Sequence, residues 1–151
     1  MLSFVIPCYN EQRNIGKVIA EIDAAAADAP VPSYEIVIVD DCSTDDTRDV
    51  VRSIAGGRSD IVLVCNATNL GFGGAYKAGI ASAGGSYVIM IPGDNSHPRE
   101  GITPILRRAG EADIIIPYAA NPEARGFLRV LISRSFTWLV NTLFGLNVPY
   151  F

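Results

Sequence analysis

Four stretches of the chain carry most of the residues that can do chemistry, and each follows a short apolar run. Pro7-Cys8-Tyr9-Asn10-Glu11 offers an aromatic face to a base or ribose and a carboxylate to a hydroxyl or amino edge. The competing reading is a Pro/Asn turn whose Glu lies near a helix start, where the helix dipole favours it. Asp40-Asp41-Cys42-Ser43-Thr44-Asp45-Asp46-Thr47 gathers four acids. A carboxylate after a strand can accept hydrogen bonds from a ribose hydroxyl or a base N–H. Four exceed what a helix cap requires, so at least one is expected to meet a ligand while Asp40 or Ser43 caps the next helix.

Pro92-Gly93-Asp94-Asn95-Ser96-His97-Pro98 turns sharply and holds one carboxylate among neutral oxygens. That donor set suits a hard divalent ion, Mg2+ or Mn2+, which takes its remaining ligands from a diphosphate and water; ordinary turn chemistry is the plainer reading of a lone Asp there. His97, the single histidine, is read as structural. Asn69-Leu70-Gly71-Phe72-Gly73-Gly74 is glycine-rich and opens a helix, yet fits neither phosphate-loop pattern. A dinucleotide fingerprint needs glycine where Tyr76 stands, and a Walker loop ends in Gly-Lys-Ser or Gly-Lys-Thr. Close packing of a helix beneath the site is the better account.

The elements that position these residues follow from periodicity. Leu2–Ile6, Glu35–Val39, Ile61–Cys65, Tyr87–Ile91 and Asp113–Ile116 read as strands, and their nearly continuous apolar runs suit strands covered on both faces. Ile15, Val18, Ile19 and Ile22 form the stripe of a helix packed on a sheet. Ser43 with Asp46 resembles a capping box for a second helix buried through Val50, Val51 and Ile54. A third helix, about Gly71 to Ala83, presents Gly74, Ala75, Gly79 and Ala83, which let backbone approach sheet. Alternating strands and helices predict an α/β fold with a mainly parallel sheet, whose ligands bind outside the carboxyl ends of the strands.

With 151 residues, nearly half of them apolar, the chain suits one globular domain with a filled core. A net charge of −4 argues against a nucleic-acid partner, which needs a broad excess of Lys and Arg. Cys8, Cys42 and Cys65 form no metal-binding spacing, and an odd count suits a reduced compartment. The apolar N-terminus meets Pro7 too soon for a signal peptide. A cytoplasmic location is expected, with no membrane-spanning segment.

Taken in order, Pro7-Cys8-Tyr9-Asn10-Glu11, Val39-Asp40-Asp41-Cys42-Ser43-Thr44-Asp45-Asp46-Thr47 and Asn69-Leu70-Gly71-Phe72-Gly73-Gly74-Ala75 resemble family 2 glycosyltransferases, especially the polyprenyl-phosphate sugar synthases typified by dolichol-phosphate mannose synthase. The resemblance covers nearly the whole chain. It implies a GT-A (nucleotide-diphospho-sugar transferase) fold, in which Pro7, Tyr9, Glu11, Val39, Asp41, Gly93 and Asp94 bind the donor, a GDP- or UDP-sugar. Asp94 falls on the last Asp of the DxD metal motif and is the catalytic candidate. Pro92 replaces the first Asp of that motif, which leaves Asp94 and Ser96 as the expected ligands of Mg2+ or Mn2+. Cys42 stands where a glycine is common.

The implied reaction moves a sugar to an acceptor, a polyprenyl (dolichyl or undecaprenyl) phosphate, whose anionic oxygen needs no strong protein base. The segment Phe127 to Phe144, with Arg125, Arg129, Arg134 and Trp138, suits a helix resting on the inner face of a membrane, and residues 125–145 are assigned to it. The alternative is a core or dimer helix, the latter making a homo-oligomer. Family members usually continue beyond Phe151, so the chain is expected to be a C-terminally truncated domain holding the donor half. A non-catalytic nucleotide-binding or regulatory module is the main rival reading. A dinucleotide-dependent oxidoreductase is more distant, because the first strand enters Pro-Cys-Tyr-Asn-Glu and no glycine fingerprint.

Overall fold

β1 (Leu2–Cys8) is buried along its whole length, which fixes its place inside a sheet with both faces covered. A computed structural model of the chain describes residues 1–117 and 127–146. β1 pairs in parallel with β2 (Tyr34–Asp40) on one side and β4 (Tyr87–Met90) on the other, and β3 (Ile61–Cys65) pairs with β2. The sheet order is β3-β2-β1-β4. Its two outer strands are covered less fully, with Val62 and Val88 each 37% exposed.

Successive residues of a strand point to opposite faces, so β1 contributes to two cores. Phe4 and Ile6 pack with Ile36 and Ile38, and with Ile15, Ile22 and Val51 of α1 (Ile15–Ala27) and α2 (Thr47–Ala55). Val5 packs with Val37 and Val39 against Ala75 of α3 (Gly71–Ser82) on the opposite face. The small residues of α3 are needed there. A Cβ on Gly79 would overlap Val5 Cγ1 and lie 3.0 Å from Val39 Cγ2.

The connections through α1 and α2 step outward from β1 to β3, whereas α3 carries the chain back across the sheet to β4. Connections that diverge on either side of β1 leave a crevice at the carboxyl ends of β1 and β4, the ligand-binding point of an open α/β sheet. α4 (Arg99–Leu106) follows the loop after β4 and buries Ile102 and Leu106 in the core that holds α1.

Two local expectations are corrected. Asp113–Ile116 is not a strand: it has no pairing partner among the described residues, and Ile114 and Ile116 are 77% and 76% exposed. β-Branched residues favour a strand only where a ladder and a packing surface receive them. The Ser43–Asp46 capping box is also absent. α2 starts at Thr47 after Asp46, without a side-chain cap, because Ser43 Oγ instead accepts the N–H of Asn10.

The chain divides into two units, Met1–Ile115 and Ile116–Phe151. The described part of the second contains α5 (Phe127–Phe144). Arg125 and the side chain of Arg129 lie outside the described residues. No described helix is long and apolar enough to cross a membrane.

Candidate functional site

β1 carries Pro7 inside a strand because its missing N–H falls where β1 has parted from β4. The Pro7 carbonyl turns instead to the loop after β4 and accepts the N–H of Gly93 at 3.3 Å. That loop lies so close that a Cβ on Gly93 would come 2.9 Å from Cys8 Cβ, so only glycine fits without movement.

The loops after β1 and β2 are laced together by side chains. Asn10 and Glu11 give their N–H groups to Ser43 Oγ at 3.0 Å and Thr47 Oγ1 at 2.8 Å. In return Thr44 N–H reaches Asn10 Oδ1 at 2.9 Å and Asp46 N–H reaches Gln12 Oε1 at 2.9 Å. Asp45 accepts from both Gln12 N–H and Thr47 Oγ1. Much of the polar stretch after β2 therefore fixes the neighbouring loop and holds Tyr9 and Glu11 in place.

The acids after β2 separate by surroundings. Asp40 is fully buried and ion-paired to Arg48, with Oδ2 to Nη2 at 2.6 Å. Asp41 is 3% exposed and lines the cleft. Its Oδ1 accepts Asn66 Nδ2 at 2.7 Å and Leu70 N–H at 3.0 Å, while Oδ2 shares only the Leu70 N–H, at 3.1 Å. The second oxygen keeps lone pairs for a ligand.

Left-handed backbone marks three of the strand-end loops. Asn10, Cys42 and Asn95 have φ of 59°, 62° and 60°, and each adjoins a cleft residue: Tyr9 and Glu11, Asp41, and Asp94. This conformation is costly for non-glycine residues, and such positions gather at sites whose geometry the surroundings enforce. Asn bears it at less cost than Cys, which explains why glycine suits position 42.

In the loop after β4, Asp94 is exposed and held below the usual carboxylate range, first by hydrogen bonding from the Ser96 side chain and also by the Ser96 N–H, 3.0 Å from Oδ1. Ser96 Oγ is 2.9 Å from His97 Nδ1. Among the described residues no three His, Cys, Asp or Glu side chains cluster as a metal cage.

Pro7, Tyr9, Glu11, Asp41, Gly93 and Asp94 line one cleft of about 340 Å³ at the carboxyl ends of the strands. Two sequence candidates stand outside it. Val39 is fully buried beneath the cleft and packed toward Ala75, and its carbonyl faces β1, where it accepts Cys8 Sγ at 3.3 Å. Ser96 is not on the lining. Cys8 is on it but is no nucleophile: burial foremost, then the nearby Asp40 and Glu11 charges, pushes its thiol up to about 12.

The cleft also takes Asn69, Gly71, Phe72 and Ala75 from the turn that opens α3. Sequence reasoning assigned that turn to packing alone. The signal that could have found it was its position, at a strand's carboxyl end and rich in glycine, where an exposed Phe has no packing role. Arg48 was missed too; a cation at a helix start eight residues after a strand-end acid is unremarkable until burial is known.

A parallel sheet with a crevice of this kind, acids after β1, β2 and β4 and helices on both faces is a GT-A fold. The chain belongs to glycosyl transferase family 2, whose model matches residues 3–146. It is 33% identical over 146 residues to an undecaprenyl-phosphate 4-deoxy-4-formamido-L-arabinose transferase of Erwinia tasmaniensis, a match covering 95% of this chain and 44% of that protein. It is 31% identical over 98 residues to a dolichyl-phosphate beta-glucosyltransferase, ALG5C, of Trichomonas vaginalis, covering 62% of this chain and 29% of that one. Among solved structures, the mannosyltransferase PcManGT of Pyrobaculum calidifontis in complex with GDP-Man and Mn2+ superposes with a TM-score of 0.59 at 26% identity, over 72% of this chain and 32% of that one. The chain thus spans less than half the length of these proteins.

Proposed function

We propose that this chain holds the donor of a glycosyltransferase that moves a sugar from a nucleoside-diphosphate sugar to a polyprenyl phosphate at a membrane surface. One observation carries the reading: Tyr9, Glu11, Asp41 and Asp94, which reach the site from three different strand ends, meet in one cleft. Tyr9 offers its ring to the base, Glu11 and Asp41 accept hydrogen bonds from base and ribose, and Asp94 faces the diphosphate. The names of the relatives support the polyprenyl-phosphate acceptor. In the reaction an acceptor phosphate oxygen forms a bond to the anomeric carbon as the bond from that carbon to the diphosphate breaks, and the nucleoside diphosphate leaves with the electron pair.

The donor set bears on a metal. The described lining holds Glu11, Asp41 and Asp94 and no Lys, Arg or His, so a diphosphate entering there meets like charge. A divalent ion bound by the ionised Asp94, and otherwise by diphosphate and water, fits this arrangement. When bound, such an ion neutralises charge on the leaving diphosphate. Ser96 is the weaker candidate ligand, given its His97 contact.

α5 suits a membrane surface. Ile132, Trp138 and Leu143 are 62%, 68% and 67% exposed. The hydroxyls of Ser135, Thr137 and Thr142 bond back to the carbonyls of Leu131, Ser133 and Trp138, so these polar groups are satisfied within the helix, as an apolar medium requires.

Calorimetry with GDP, UDP and their sugars, with and without Mn2+, tests the donor reading. At least one nucleotide should bind, more tightly with Mn2+, and Asp94→Asn should remove the Mn2+ gain. No binding to any of them overturns it. Flotation with anionic liposomes tests α5: Trp138→Glu should reduce lipid association, and unchanged flotation overturns the membrane assignment.

A further inference from the structure

Phe72 stands on the first turn of α3 with 55% of its surface exposed, although apolar cores lie on both faces of the sheet. It lines the same cleft as Tyr9, which is 46% exposed and enters from the loop after β1. The turn that carries Phe72 is held firmly. The Leu70 N–H is bound by Asp41, the Gly71 N–H gives a 3.0 Å bond to Asn69 Oδ1 at a φ of 70°, and Gly74 sits so close beneath that a Cβ there would come 2.5 Å from Leu70 Cβ. A rigid turn thus presents an aromatic ring to a cleft that already contains one.

We propose that Phe72 is a second aromatic surface of the donor site, on which, together with Tyr9, the planar base of the nucleoside diphosphate stacks. The inference rests on the nucleotide reading of the cleft. Stacking uses the π-face that every base has, so Phe72 strengthens binding of any nucleotide while the carboxylates of Glu11 and Asp41 read its edge. Glu11 is placed to do so, because it lines the cleft and one of its oxygens is held by Asn14 Nδ2 at 2.8 Å.

The test is calorimetry of the full chain with GDP and with UDP in Mn2+, comparing Phe72→Ala, Phe72→Leu and Phe72→Trp with the wild type. Removing a base-stacking ring weakens binding about 5- to 150-fold, so that loss is expected for Ala and also for Leu, which keeps apolar bulk without a π-face. Phe72→Trp should keep affinity within about threefold of the wild type, and nucleotide should quench its added fluorescence. Wild-type affinity in Phe72→Leu, or an unquenched Phe72→Trp, overturns the inference while leaving the nucleotide reading intact. A wild type that binds neither nucleotide overturns that reading, and this one with it. Because Phe72 is exposed, the variants should melt as the wild type does.

Discussion

The carboxylate of Asp41 accepts the backbone N–H of Leu70 at 3.0 Å, across 29 residues of sequence. One acid therefore faces the cleft and also clamps the turn that opens α3 on its opposite wall. The cleft lining and the wall position are coupled through a single side chain.

Asp41→Ala should loosen that wall. It leaves the Leu70 N–H and the half-buried Asn66 amide without their acceptor, a loss of about 1.5–3 kcal/mol of stability for hydrogen bonds made to a charged group. Hydrogen exchange should speed up at Leu70 and stay unchanged in β1. Unaltered exchange at Leu70 would show that the turn is held by other means.

Cys42→Gly should stabilise the protein. The φ of 62° at this residue costs a side-chain-bearing residue about 1–2 kcal/mol that glycine does not bear. The weak Cys42 Sγ contact to the Ala67 carbonyl, at 3.7 Å, gives little back. A urea midpoint below that of the wild type would contradict the assigned backbone.

Two glycines of α3 should respond oppositely to alanine. Gly79→Ala drives a methyl into Val5 and Val39, with an expected loss of about 1–3 kcal/mol from overpacking. At Gly73 a Cβ meets nothing within 4 Å, and alanine's higher helix propensity should add about 0.5–1 kcal/mol. Denaturant unfolding of the two variants checks both signs; equal effects would refute the close α3–sheet approach.

Acid should unlock a brace at the other end of the sheet. Arg58 donates to both oxygens of Asp60 and to Asp23, and its hydrogen bond holds the Asp60 carboxyl below its ordinary 3.8. A depressed folded value means that the stabilisation is complete above the unfolded value and is lost as pH falls through the folded one. Asp60→Asn should therefore lower stability near neutral pH and flatten the loss seen below about pH 4. An acid profile identical to the wild type would exclude this brace.

Much of the fold was legible because its signals are local. The stripe of Ile15, Val18, Ile19 and Ile22 became the buried face of α1, and the four strands that pair were readable as apolar runs. Where partners decide, sequence fell short. Asp113–Ile116 has the composition of a strand, but composition supplies no ladder, and α4 is too short and too mixed to announce itself.

By itself, the sequence determined which residue types stand at each strand's carboxyl end, and so the family and the stretches that form the site. The tertiary structure alone decided their duties. Burial and pairing committed Asp40 to Arg48, left Asp41 between a loop and the cleft, sent Val39 into the core and brought Phe72 to the lining. The reason is physical: a residue's type and spacing are properties of the chain, whereas the partner that satisfies a carboxylate or covers a ring arrives from tens of residues away.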